Sequence, residues 1–176
     1  MNRLHGKTTG VAVITPFKND GSVDYDALTK IICFLIDNGI DFLVALGTTG
    51  ESVTLTAKER NAIFQTFVNA TERRVPLVMG IGGNCTRSVV DEFNSAKTNG
   101  FDAILSVTPY YNRPSQEGLY HHYMCLDAVA PLPIIMYNVP GRTGINMTAA
   151  TTVRIFNASS NLSGTKDASA ELAQGK

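Results

Sequence analysis

LPIIMYNVPGRTG, at Leu132–Gly144, is an apolar segment that runs directly into a polar turn. Ile134, Ile135 and Met136 form a continuous apolar run between two prolines, which is typical of a parallel strand buried on both faces. A tyrosine, an asparagine and an arginine follow from Tyr137 onward. Because reactive groups collect at the carboxyl ends of parallel strands, we expect these side chains to meet a ligand, although the residue types also fit a buried aromatic and a solvated turn.

Short apolar segments of this kind alternate with amphipathic segments along the chain. The predicted strands begin at Val11, Phe42, Leu77, Ala103, Ile134 and Leu162. Strands that alternate with helices at this spacing predict right-handed crossovers and a parallel sheet, which places the chain in the α/β class. An open doubly wound sheet and a (β/α)8 barrel share this alternation, so the periodicity leaves both architectures open.

Capping residues mark the starts of several predicted helices. Asp24 precedes an amphipathic segment that ends before Gly39, a residue suited to the left-handed conformation that follows many helices. Thr56 and Glu59 form a capping-box pattern at the start of the next helix. Thr86 is expected to cap the helix after the third strand.

The balance of positive and negative charge argues against some classes of binding partner. The chain has 176 residues, of which 44% are apolar, and its 15 basic residues equal its 15 acidic ones. Nucleic acid and anionic membranes attract a basic excess, so we expect neither as a partner and a small-molecule ligand instead. No apolar run approaches the ~20 residues that span a bilayer, and no apolar leader follows the first residues, so we expect one cytoplasmic domain.

The cysteines and histidines form no metal or redox motif. Cys33, Cys85 and Cys125 are far apart and lack C-x-x-C spacing, so we expect reduced thiols rather than disulfides or a zinc site. His121 and His122 point to different sides of a predicted helix and cannot hold one metal, and we expect both at the surface. The segment GIGGNC ends in a cysteine where a dinucleotide fingerprint requires glycine. We therefore expect neither a metal nor a cofactor.

Three longer motifs together resemble the dihydrodipicolinate synthase family. They are GTTGES at Gly47–Ser52, PYYNRPSQEGLY at Pro109–Tyr120 and YNVPGRTG at Tyr137–Gly144. The resemblance extends from about residue 10 to about residue 168 and implies a (β/α)8 TIM barrel, of which this chain supplies about the first six βα units. The last two units and the helical region that follows the family's barrel have no counterpart in residues 1–176, which implies a single incomplete barrel domain.

The resemblance also implies a reaction and the residues that carry it. Members of the family condense pyruvate with L-aspartate 4-semialdehyde through a Schiff base on a lysine, which corresponds to Lys166 in GTKDAS. Only a neutral amine attacks a ketone, so a partly desolvated lysine suits this role. Tyr137 corresponds to the family tyrosine that relays protons, and Thr48 and Tyr111 complete the chain of hydroxyls. In the family, the residue matching Tyr111 reaches into a neighbouring subunit's site.

Three further positions correspond to family residues that bind carboxylates. Thr49 and the backbone N–H groups near Gly47 match the site that holds the carboxylate of pyruvate. Arg142 matches the arginine that binds the carboxylate of the semialdehyde, and a guanidinium suits this role because it forms paired, charge-assisted hydrogen bonds. Other pyruvate-dependent aldolases and lyases of the superfamily lack this arginine. Such an aldolase and an inactive barrel fragment are the alternative hypotheses.

Assembly and regulation are implied in the same way. The family forms homotetramers arranged as dimers of dimers. Its lysine-sensitive members bind the inhibitor with residues that match Tyr110 and Asn84, but Ser88 stands where those members have a glutamate. We therefore expect weak inhibition by lysine, because the ammonium group of the inhibitor loses a charged partner. The family usually has a β-branched aliphatic residue and a glutamate at the positions of Thr165 and Asp167.

Overall fold

The computed structural model describes residues 8–171 and divides the chain into two compact units. The first unit contains the residues up to 80 together with 98–103, and the second contains residues 81–97 and those from 104 onward. In each unit, parallel strands lie in the order in which they occur in the chain. Within residues 8–171, no helix is long and apolar enough to cross a bilayer.

The first unit has a parallel sheet and two helices that pack against each other. Its elements are β1 (Gly10–Ala12), α1 (Tyr25–Asp37), β2 (Phe42–Ala45), two 3-10 turns (Thr48–Gly50 and Ser52–Thr54), α2 (Ala57–Thr71) and β3 (Leu77–Gly80). β2 pairs in parallel with β1 and with β3. The predicted strand starts are thus confirmed in this unit, although β1 is shorter than its apolar segment.

The predicted caps of the first unit are confirmed. The side chain of Asp24 accepts a hydrogen bond from the backbone N–H of Ala27 at 2.9 Å, which satisfies a free donor of the first turn of α1. Thr56 and Glu59 form both hydrogen bonds of a capping box at the start of α2. Gly39 has a φ of 84° and lies just beyond α1, as its position predicts.

The second unit carries the stretch around Tyr137. Its elements are α3 (Thr86–Ser95), β4 (Ala103–Val107), α4 (Gln116–Asp127), β5 (Ile134–Asn138), the one-turn helix α5 (Pro140–Thr143), α6 (Ala149–Ala158) and β6 (Leu162–Asp167). β5 pairs in parallel with both β4 and β6. The predicted parallel strand is confirmed, and Ile134 and Met136 on one of its faces are fully buried, whereas Ile135 on the other face is half-buried.

Two expectations about α3 and α4 were wrong. Thr86 is the first residue of α3 rather than its cap, and its hydroxyl lies 2.9 Å from Nδ1 of His122. His122 is only 3% exposed, whereas His121 is 70% exposed as predicted. His122 lies three residues after the buried Leu119 and therefore on the inward face of α4. Thr86 supplies a partner for Nδ1, whereas Nε2 is buried without a hydrogen-bond partner among the described residues.

Lowering the pH is expected to weaken the fold through His122. Burial lowers the pKa of His122 to about 4, whereas an unfolded histidine titrates near ~6.5. Between these values the unfolded chain binds a proton that the folded chain does not. The free energy of unfolding should therefore fall by up to roughly 3 kcal/mol as the pH drops through this window.

Urea unfolding at about pH 7 and about pH 4.5 measures this effect. His122→Gln should remove the part of the pH dependence that comes from the buried imidazole. His121→Gln, on the neighbouring exposed side chain, is the matched control and should retain it. An equal pH dependence in the wild-type and His122→Gln proteins would contradict the prediction.

Candidate functional site at the ends of β5 and β6

Lys166 and Tyr137 lie side by side at the carboxyl ends of two neighbouring strands. They are direct partners in the parallel register of β5 and β6. The Nζ atom of Lys166 lies 4.3 Å from the centroid of the Tyr137 ring. Tyr137 is 5% exposed and Lys166 is half-buried, so the amine lies against a largely buried aromatic ring. The second unit thus brings these two sequence-predicted residues together.

Behind this pair, the side chain of Asn138 forms three hydrogen bonds. Its Nδ2 donates to Oδ1 of Asn146 at 2.8 Å and to Oδ2 of Asp167 at 3.1 Å. Its Oδ1 accepts from the backbone N–H of Met147 at 3.0 Å. The expectation that this asparagine meets a ligand was wrong: Asn138 is 0% exposed, and its side chain is bonded to protein groups up to 29 residues away.

Arg142 is presented by a single helical turn that follows β5. Pro140 occupies the first turn of α5, where its missing N–H costs nothing, and Gly144 ends the turn with a φ of 72°. This left-handed conformation favours glycine, and a Cβ atom here would also lie 2.9 Å from Nε of the Arg113 side chain, which would have to shift. The side chain of Arg142 is exposed, which leaves it accessible to an anion.

The loop after β4 holds Tyr111 in an unusual conformation. Tyr111 has a φ of 70° and is 88% exposed. A left-handed conformation costs a non-glycine residue roughly 1–2 kcal/mol, so the surrounding loop must impose it. Asn112 is part of that loop and donates from Nδ2 to the carbonyl of Asn84 at 3.1 Å. The positions Tyr110 and Asn84, expected to contact an inhibitor, are both half-buried and lie on loops that Asn112 connects.

In the first unit, Gly47, Thr48 and Thr49 form a tight turn directly after β2. Gly47 precedes the 3-10 turn that contains both threonines, and its carbonyl accepts from the N–H of Gly50 at 2.9 Å. Gly47 is buried, Thr48 is half-buried and Thr49 is exposed. The turn thus presents hydroxyl groups at the carboxyl end of a parallel strand. The roles that the family resemblance implies for Thr48 in the hydroxyl chain and for Thr49 at the carboxylate of pyruvate stay predictions.

The described residues contain no group of three or more His, Cys, Asp or Glu side chains that could hold a metal ion. The side chains that the motifs place at strand ends are an amine, hydroxyl groups and a guanidinium. An amine beside an aromatic hydroxyl suits covalent chemistry on a carbonyl compound, since the amine forms an imine and the hydroxyl exchanges protons.

These features define an α/β protein in which a lysine and a tyrosine meet at the carboxyl ends of parallel strands. The chain belongs to the dihydrodipicolinate synthetase family, whose sequence profile matches residues 7–175. This confirms the resemblance carried by the three motifs.

Individual relatives are similar over nearly the whole chain. A 4-hydroxy-tetrahydrodipicolinate synthase of Parabacteroides distasonis is 53% identical over 174 residues, which are 99% of this chain and 59% of the relative. The chloride-inhibited dihydrodipicolinate synthase of Acinetobacter baumannii, solved in complex with pyruvate, is 41% identical with a TM-score of 0.91 over 96% of this chain and 57% of its own. The enzyme of Cyanidioschyzon merolae, solved with lysine bound, is 38% identical with a TM-score of 0.89 over 95% and 57%.

The solved relatives also decide between the two architectures that periodicity left open. The chain superposes on two solved enzymes of this family with TM-scores of 0.90 and 0.91. Its six βα units therefore belong to the (β/α)8 barrel class rather than to the open doubly wound sheets. The chain spans somewhat under three fifths of the length of these relatives.

Proposed function

We propose that residues 1–176 carry the lysine-containing part of a 4-hydroxy-tetrahydrodipicolinate synthase, an enzyme that condenses pyruvate with L-aspartate 4-semialdehyde. The observation that carries the proposal is the position of Lys166 Nζ, 4.3 Å from the centroid of the Tyr137 ring. The pyruvate complex of the Acinetobacter baumannii relative supports pyruvate as one substrate. We define the full-length enzyme as residues 1–176 joined to a C-terminal region that corresponds to the rest of the relatives.

The chemistry begins at the amine of Lys166. The neutral amine attacks the ketone carbon of pyruvate, and the resulting carbinolamine loses water to form an imine. Loss of a methyl proton converts the imine to an enamine, whose carbon attacks the aldehyde carbon of the semialdehyde. The amino group of the semialdehyde then displaces the lysine in a ring closure. The sum is one pyruvate and one semialdehyde converted to one cyclic product and one water, with Lys166 regenerated.

Each of these steps moves a proton, and Tyr137, whose ring lies against the amine, carries a hydroxyl that can move one. A phenol can both donate and accept a proton, and linked hydroxyl groups can pass it onward without a charged base beside the amine. In the proposed enzyme, Thr48 of the same subunit and Tyr111 of a neighbouring subunit complete this chain of hydroxyls. The exposed ring of Tyr111, held in a strained conformation, fits a residue that acts across such an interface, as in the proposed homotetramer.

The two carboxylates of the substrates are assigned to different elements. Thr49 and the backbone N–H groups near Gly47 bind the carboxylate of pyruvate, because short turns at strand ends present several donors to one anion. Arg142 binds the carboxylate of the semialdehyde with its exposed guanidinium. We place the enzyme in the cytoplasm and its lysine-binding positions at Tyr110 and Asn84, with weak inhibition because Ser88 supplies no carboxylate.

Turnover of the full-length enzyme with both substrates tests the proposal. Proton NMR should show pyruvate and the semialdehyde consumed together and the cyclic product formed. Pyruvate with a neutral sugar aldehyde is the control and should react slowly, because it offers Arg142 no carboxylate. Faster reaction with the sugar aldehyde would instead indicate another pyruvate-dependent aldolase of the superfamily.

Replacing Arg142 by alanine is expected to impair the reaction with the semialdehyde but not the formation of the imine with pyruvate. These two steps are the half-reactions that the experiment compares. The variant should lose roughly 10- to 150-fold in kcat/KM for the semialdehyde, since a charge-assisted hydrogen bond contributes about 1.5–3 kcal/mol. Imine formation with pyruvate should be unchanged. Arg154→Ala is the matched control, since Arg154 pairs with Glu117 on the surface of α4 and α6 and should affect neither step. Equal loss of both half-reactions in Arg142→Ala would show that this arginine acts on the structure of the site.

A further inference from the structure

Asn138 is the most completely bonded buried polar side chain near the lysine–tyrosine pair. It is 0% exposed, and both hydrogens of its Nδ2 are used, one on Asn146 and one on Asp167. Its Oδ1 accepts from the backbone N–H of Met147. The carboxylate of Asp167 requires a donor and the N–H of Met147 requires an acceptor, so the orientation of the amide is determined.

The position of Asn138 in the register connects it to Lys166. Asn138 pairs with Asp167, one residue beyond the pair formed by Tyr137 and Lys166. The side chain of Asn138 binds that of Asp167, and its carbonyl accepts from the N–H of Ala168 at 2.8 Å. Successive residues of a strand point to opposite faces, so the hydrogen-bonded pair lies on the face opposite the reactive pair. The backbone of Lys166 is thus held from its C-terminal side.

The same side chain also reaches the segment that follows Arg142. Asn146 and Met147 lie between α5 and α6, and both are bonded to the Asn138 amide. One buried amide therefore connects β5, β6 and the segment between α5 and α6 that follows Arg142. A buried polar group that bonds three segments restricts their relative movement more than an apolar side chain of the same size would.

We propose that Asn138, together with Asp167, is a positioning residue that holds the amine of Lys166 against Tyr137. The inference rests on the proposed function, because it concerns the rate at which that amine forms an imine. Neither residue touches the substrate in this proposal. They act through the carboxyl ends of β5 and β6, and a displacement of a reacting group by about 1 Å can cost roughly 100-fold in rate.

The test measures the rate of imine formation in the full-length enzyme. Pyruvate is added, the imine is reduced with borohydride at set times, and the adduct on the peptide that contains Lys166 is quantified by mass spectrometry. Asn138→Ala and Asp167→Ala should each slow the reaction roughly 10- to 100-fold. The double variant should be no slower than the slower single variant, because both substitutions break the same hydrogen bond. The KM for pyruvate should change little in all three.

Two further variants test whether a slower rate comes from lost positioning, from the lost charge of Asp167 or from a general loss of stability. Asp167→Asn keeps an oxygen that can accept from Asn138 and should retain the rate within about threefold, although the charge is lost. Asn161→Ala is the matched control at the other end of β6: it removes a hydrogen bond to the carbonyl of Asp127 at 3.0 Å and should leave the rate within about twofold. Because Asp167 is exposed, its variants should fold even where the buried Asn138→Ala does not.

The outcomes distinguish this inference from the proposed function. Unchanged rates in Asp167→Ala and in folded Asn138→Ala would overturn the positioning role while the wild-type adduct still supports the synthase. Multiplicative losses in the double variant, or an Asp167→Asn variant as slow as Asp167→Ala, would also overturn it. Absence of any adduct in the wild-type enzyme would overturn the proposed function, and the inference with it.

Discussion

Replacing Lys166 by methionine in the full-length enzyme is expected to abolish the borohydride-trapped adduct with pyruvate and to lower turnover by roughly a thousandfold or more. The large effect follows from the covalent role: without the amine there is no imine, and without the imine the methyl carbon of pyruvate has no electron sink. Methionine has an unbranched side chain of similar bulk, so the substitution removes the amine with little change in volume.

Lys97 supplies the matched control for this experiment. It is an exposed lysine beyond α3, and Lys97→Met should leave both the adduct and the turnover unchanged. Peptide mapping of the wild-type protein should place the added mass on the peptide that contains Lys166. An adduct on Lys97, or turnover that survives in Lys166→Met, would refute the assignment of the Schiff-base lysine.

A polypeptide limited to residues 1–176 is expected to retain less than about 1% of the turnover of the full-length enzyme. The solved relatives extend well beyond the part that this chain matches, which corresponds to 57% of the Acinetobacter baumannii enzyme. A closed barrel leaves no strand edge unpaired, whereas a partial one exposes backbone groups and interior side chains. The free energy of unfolding of a domain is only ~5–15 kcal/mol, which is too small to offset the exposure of these groups. We therefore expect that the residues around Lys166 do not keep their geometry in this polypeptide.

Complementation provides the control for this expectation. Supplying the C-terminal region of the Parabacteroides distasonis relative as a second polypeptide should restore turnover, because that relative is 53% identical over the matched part. The Lys166→Met variant of residues 1–176 should not be rescued in the same mixture. Full turnover from residues 1–176 alone would show that the additional length is dispensable, and would refute the prediction.

Local signals in the sequence predicted the elements of the fold well. The caps at Asp24 and Thr56 were confirmed because a capping bond joins residues only three apart in the chain. β4 begins and ends where its apolar run predicts, at Ala103 and Val107, because turn-forming residues bound that run. These features depend on neighbours in the chain, so they can be read without knowing the fold.

Predictions that depended on distant neighbours were less successful. His122 was expected at the surface, yet it is buried against Thr86, 36 residues away. The hydrogen bond between Asn138 and Asp167 was not expected at all, because nothing near either residue indicates that β5 and β6 bring them into register. Polar residues are usually exposed, and only a tertiary partner makes their burial possible.

Contiguous motifs and local periodicity in the sequence were enough to indicate the family and the alternation of strands and helices, both of which are confirmed. The roles that the motifs give to Lys166, Tyr137 and Arg142 stay predictions. The tertiary structure alone decided that Lys166 lies against the Tyr137 ring and that Asn138 bonds Asp167 behind it. Side-chain contacts between neighbouring strands depend on register, and a shift of one residue would turn each of these groups to the opposite face.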